Sequence, residues 1–216
     1  MTGLTALALV CTLKKSPTPS SSDLIAQQVL DELATHDVKG TTVRLVDYDL
    51  APGITADEGP GDQWPIIREQ ILAADILLVS TPTWLGHMSS VAHRALERLD
   101  AELSNTDDSG RPILTGKVAT VAVVGNEDGA HNICADLFQS LDDLGFSIPA
   151  QGCTYWNDQA MGGTDYRDLD ETPSAVADAT AALARNAAHL AKLLTERNYP
   201  GNQAVGNAGR SVGPTC

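Results

Sequence analysis

The stretch Cys11-Thr-Leu-Lys-Lys-Ser-Pro-Thr-Pro-Ser-Ser-Ser22 gathers hydroxyls and two ammonium groups directly ahead of a helical pattern. A helix start offers unpaired amides and the positive end of the macrodipole, so this is chemistry for a phosphate. Thr12, Ser16, Ser20, Ser21 and Ser22 can donate further hydrogen bonds, and Lys14 and Lys15 add local positive charge. The plainer alternative is that the serines cap the helix and the prolines stiffen an exposed loop. Neither G-x-G-x-x-G nor G-x-x-x-x-G-K-[ST] occurs in the chain, so a mononucleotide phosphate fits better than a dinucleotide or a triphosphate.

Two later loops suit a flat heterocycle. In Thr81-Pro-Thr-Trp-Leu-Gly-His-Met-Ser89, a proline bend presents Trp84, Gly86 and His87. Trp84 can cover an aromatic ring and Gly86 lets backbone amides approach it. The alternatives are Trp84 as core and His87 as a solvated or capping group. Facing a ring, His87 would stabilise negative charge developing on it, which makes it the one candidate catalytic side chain. In Val124-Gly-Asn-Glu-Asp-Gly-Ala-His131, Asn126 and the backbone of Glu127, Asp128 and Gly129 can meet ring edges, with His131 as a helix cap. Tyr155 and Trp156, ahead of Met161-Gly162-Gly163 and Asp165 to Glu171, border either a substrate opening, the core or a subunit contact.

The elements that must position these loops alternate. Apolar runs at Thr5–Val10, Thr41–Val46, Ile76–Ser80 and Val118–Val124 predict strands, with a fifth near Ser147–Thr154. Between them lie helical stripes: Ile25, Val29, Leu33; Ile66, Ile67, Leu72; Val91, Ala95, Leu96, Leu99, Leu103; and Cys134, Leu137, Phe138, Leu141, Leu144. Ser22 and Gly145 read as a helix start and stop, and a last helix starts at Thr172-Pro173 and ends near Arg197. Five βα units with no evident hairpin predict an α/β fold, a doubly wound five-stranded parallel sheet in the order 2-1-3-4-5 with helices on both faces. Ligands of such sheets sit at the carboxyl ends of the strands where the winding reverses, beside the loops after strands 1, 3 and 4. One domain is expected over residues 1–199, followed by a flexible Gly/Asn/Ser-rich tail over 200–216.

Composition narrows the partners. The 216 residues carry 14 basic and 28 acidic side chains, a net charge of -14 that argues against nucleic acid and anionic membranes. The apolar stretch at Leu4–Val10 is far short of the roughly 20 residues a membrane span needs. Cys11, Cys134, Cys153 and Cys216 form no C-x-x-C, which points to reduced thiols and a cytoplasmic location rather than a zinc site.

Together the loops resemble the flavodoxin-like NAD(P)H-dependent FMN reductase family over about residues 3–196. Thr12-Leu13-Lys14 with Ser20-x-Ser22 is similar to the family's Ser-x-Arg-x-x-Ser-x-Asn phosphate loop, with extra residues around Pro17–Pro19. Pro82-Thr83-Trp84-Leu85-Gly86 resembles its Pro-x-Tyr-x-Gly loop. Departures are Trp84 for tyrosine, Ser89-Ser90 for Pro-Gly, and His93 where lysine is common. The resemblance implies a flavodoxin-like fold, FMN as cofactor and NAD(P)H as co-substrate. It also implies a small-molecule acceptor such as a quinone, or a redox partner protein, and with the aromatic edge a homodimer. Thr12, Lys14, Ser16, Ser20, Ser21 and Ser22 would hold the phosphate; Pro82, Thr83, Trp84, Leu85, Gly86, His87 and Gly125, Asn126, Glu127, Asp128, Gly129 would hold ribityl and ring. The main rival is an electron-carrying flavodoxin without its own NAD(P)H oxidation, which the acidic charge favours; a cofactor-free domain is the other. A receiver domain would need acidic residues after strand 1, and Cys11-Thr12-Leu13-Lys14-Lys15 has none.

Overall fold

The structure is a computed structural model that describes residues 3–158 and 162–201; most of the expected tail, from residue 202, and Met161 lie outside the described residues. Strands β1 (Leu4–Val10), β2 (Val38–Arg44), β3 (Ile76–Trp84), β5 (Val118–Val124) and β6 (Cys153–Trp156) form a parallel sheet in the order β2-β1-β3-β5-β6. Counting parallel strands alone, this is the expected 2-1-3-4-5. Against expectation, a hairpin exists: β4 (His87–Met88) folds back antiparallel on the end of β3. Its turn residues Leu85 and Gly86 have φ of 51° and 78°, the doubly left-handed geometry of a two-residue hairpin.

Alternation along the strands sorts side chains to two cores. Leu7 and Leu9 of β1, with Cys11 just after it, join the side covered by α2 (Trp64–Ala73), α3 (Ser90–Leu99) and α4 (Ala130–Asp143). Ala6, Ala8 and Val10 face α1 (Ser21–Ala34) and α5 (Ser174–Glu196). The alanines on that face meet an alanine-rich helix, with Ala184, Ala187, Ala188 and Ala191 all buried. Small side chains on both partners let a 23-residue helix lie close to the sheet.

Some boundaries move. β2 starts at Val38 rather than Thr41 because it is an edge strand whose Lys39 to Thr42 face water, so backbone pairing with β1 places it and the apolar run does not. The fifth parallel strand is Cys153–Trp156; Ser147 makes only an isolated bridge to Val118. Leu103 and Ile66, counted in apolar stripes, are exposed; Trp64 and Ile71 are buried with Ile67 instead. Gly145 does close α4, at φ 104°. The register aligns Val10 with Arg44 and Ser80, Pro82 with Val124, and Val124 with Trp156, so the loops of interest emerge at one edge. β1 has already ended where Pro82 lies, so its missing N–H costs no bond to that neighbour.

Candidate active site

The winding reverses between β1 and β3, and a cavity of about 610 Å³ opens at the strand ends beyond it. Its lower end is the loop after β1. Ser20 is the residue preceding α1 and has extended geometry, but its side chain makes no cap bond, contrary to the capping alternative. Ser20, Ser21 and Ser22 line the cavity with Thr12 and Lys14, beside first-turn amides that a helix leaves without internal partners. Two arginines hold this loop through its carbonyls. Arg44 donates to Thr18 O at 2.9 Å and pairs with Asp23 at 2.9 Å. Arg167 donates to Pro19 O at 2.7 Å from the other side.

Ser16 turns away from this group. Its N–H and hydroxyl both donate to the Asp47 carboxylate, at 2.8 and 2.6 Å, and these bonds lower that acid's pKa. It lies outside the cavity lining.

The upper wall is the hairpin, with Pro82, Thr83, Trp84 and Leu85 on the lining. Trp84 is half exposed at the rim, not core. Thr83 is buried and its Oγ1 has no hydrogen-bond partner. A Cβ on Gly125, the next loop's first residue, would stand 2.7 Å from Thr83 Cβ, so glycine there is what lets the two loops close. Gly125, Asn126 and Glu127 complete this wall. Glu127 accepts the Leu85 N–H at 2.9 Å and Asn132 donates to Gly86 O at 3.3 Å, which ties the hairpin to the start of α4. Gly86, Asp128 and Gly129 serve as this joint behind the lining, and His87 faces a neighbouring groove instead of this cavity.

Sequence reasoning read the segment from Tyr155 to Glu171 as shaping a substrate site or a subunit contact without singling out Asp165 or Tyr166; both line the cavity with Trp156. Tyr166 donates to Gln28 Oε1 at 2.7 Å, and its ring lies 5.5 Å from that of Trp156. Burial raises the Tyr166 pKa, which keeps it a neutral donor. Residues 165–168 are thereby strapped to α1, and Asn126 reaches Asp165 at 3.4 Å. An aromatic inside a polar loop was the available signal. Tyr155 points the other way and meets His131 at 2.9 Å.

These residues fit FMN: hydroxyls and free amides at one end, an unpartnered buried hydroxyl and glycine-lined backbone at the other, between them a volume within the usual range for small-molecule sites. Among the described residues no acidic, histidine or cysteine cluster could hold a metal, and no helix is long and apolar enough to cross a membrane.

The family model for NADPH-dependent FMN reductase matches residues 5–160. The 8-demethyl-8-aminoriboflavin-5'-phosphate synthase of Streptomyces davaonensis is 30% identical over 206 residues, 91% of this chain and 80% of that protein. A Mycobacterium bovis protein named divalent metal cation transporter MntH is 35% identical over 170 residues, 77% of this chain; the match spans only 25% of that longer protein. Among solved structures, RosB with the bound intermediate 8-demethyl-8-formylriboflavin-5'-phosphate superposes with a TM-score of 0.83 at 30% identity, covering 91% of this chain and 82% of that one.

Proposed function

The chain belongs to the NADPH-dependent FMN reductase family, and from that premise we propose that it oxidises NADPH or NADH and passes the electrons through FMN to a quinone, another small acceptor or a partner flavoenzyme. That it is a flavin-dependent oxidoreductase follows from the family and its flavin-enzyme relatives, which sets aside the cofactor-free alternative; the carrier reading differs from the proposal in lacking NAD(P)H oxidation. Bound FMN supplies the two-electron chemistry. The chain's part is to bind and orient.

Ser20, Ser21 and Ser22, with Thr12 and Lys14, hold the phosphate by hydroxyls, amides and charge. Thr83 and the backbone of Gly125 to Glu127 address the ribityl and ring, and Trp84 covers the ring at the rim. The observation that carries this reading is the Thr83 hydroxyl, buried without a partner on the cavity wall. A buried hydroxyl costs free energy until something bonds to it, and a flavin edge would.

The reading includes a cytoplasmic protein, in keeping with the unbridged Cys11, Cys134 and Cys153, and a homodimer; light scattering that reports only monomer counts against the latter. The test of function is the visible spectrum of the protein with added FMN, followed anaerobically. Bound flavin bleached by NADPH or NADH supports the reductase, and no flavin binding defeats it. A second reading, in which FMN is itself chemically altered, is favoured by the similarity to the aminoriboflavin-phosphate synthase. Mass spectrometry of the flavin recovered after turnover separates the two.

A further inference from the structure

A second cavity, of about 770 Å³, runs between α3 and α4. Its upper wall is the hairpin's other strand. Trp84 pairs with His87 and Thr83 with Met88; the first of each pair lines the flavin cavity and the second lines this groove. The two cavities therefore lie back to back across a single ribbon whose paired Cα atoms are about 5 Å apart.

We propose that the hairpin end of this groove seats the diphosphate of the nicotinamide dinucleotide, so that one reductant straddles the hairpin and reaches the ring at its rim. The proposal rests on the flavin reading above and adds where the co-substrate's anionic part is held. Three nitrogen-bearing side chains line this groove on a protein of net charge -14: His87 on the hairpin, and His93 and Arg94 one turn into α3. Arg94 donates one bond, Nη1 to Leu50 O at 3.1 Å, which steadies the guanidinium and leaves its other donors for a ligand. Ser90, the first residue of α3, lines the same end, where the helix presents its positive pole.

Two carboxylates share the groove. Glu97 lies one turn beyond His93, about 6 Å further along α3, and Asp136 stands across on α4. They repel phosphate from the far end and confine it to the end beside the hairpin, which is where a dinucleotide spanning both cavities needs it. None of these residues lines the flavin cavity, so the two sites can be tested apart.

The experiment is calorimetric titration of the protein, with and without FMN, using ADP-ribose, which has the diphosphate and lacks the nicotinamide. In the H93Q/R94Q variant, affinity should fall about tenfold or more, the loss of charge-assisted hydrogen bonds, and R94K should recover part of it. Anaerobic reduction by reduced nicotinamide riboside, which carries no phosphate, should proceed at the wild-type rate in H93Q/R94Q. Equal ADP-ribose affinity in wild type and double variant, no ADP-ribose binding by wild type, or an equal loss with the riboside overturns the proposal. A wild-type protein that binds ADP-ribose, loses it in the variant and never takes up FMN would support this seat while defeating the flavin reading.

Discussion

Gly129 and Gly86 meet backbone against backbone: a Cβ built on Gly129 would lie 2.6 Å from Gly86 Cα. Through this contact the start of α4 fixes the hairpin that forms the upper cavity wall. Gly129 also has φ 133°, a conformation that side chains disfavour. Gly129→Ala should lower stability by about 1–3 kcal/mol and weaken flavin binding, because the hairpin must retreat. Urea melts and FMN titration measure both, and unchanged affinity would show that the joint does not shape the site.

Thr83→Val should move two quantities in opposite directions. Without ligand it removes an unpartnered buried hydroxyl, so the flavin-free protein should gain up to about 1 kcal/mol. With ligand it removes a partner, so FMN should bind more weakly. A flavin affinity equal to wild type would take Thr83 out of the site.

Replacing both Ser20 and Ser22 by alanine should cost FMN binding about 1.5–3 kcal/mol per lost charge-assisted bond. Riboflavin, which lacks the phosphate, should be nearly indifferent to the change. Equal losses for the two ligands in fluorescence titrations would move the phosphate elsewhere.

Acid sensitivity should concentrate at Asp62. Burial pushes this carboxyl up, but the Arg98 guanidinium at 2.7 Å and the N–H groups of Glu58, Trp64 and Ala51 outweigh it and hold its pKa below the carboxylate range. A depressed folded pKa contributes stability that is complete above about pH 4–5 and drains as pH falls through the folded value. Asp62→Asn leaves Arg98 buried and unpaired, a loss of about 3–5 kcal/mol at neutral pH. The gap to wild type should narrow below pH 4; denaturant melts giving the same gap at pH 7 and pH 3 would refute the assignment.

The sheet was legible because its central strands are apolar on both faces, as Val118–Val124 is, and such strands require helices on both sides to cover them. The serine-rich loop was legible because it directly precedes a helix. The hairpin was not, since its turn is Leu85-Gly86 where a hairpin signal would read Asn-Gly. Nor could spacing bring Tyr166 to the cavity, because its place depends on a hydrogen bond to Gln28, 138 positions earlier. Ser16 shares the composition of its neighbours, and only the fold sets Asp47 against it.

Leu85 keeps a left-handed backbone at a cost of about 1–2 kcal/mol that asparagine or glycine would largely avoid, and the residue is 89% exposed. It therefore repays nothing through packing within the chain. What it supplies is a hydrocarbon doorstep beside Trp84 on the lining of the cavity, where its exposed apolar surface is covered only when something enters.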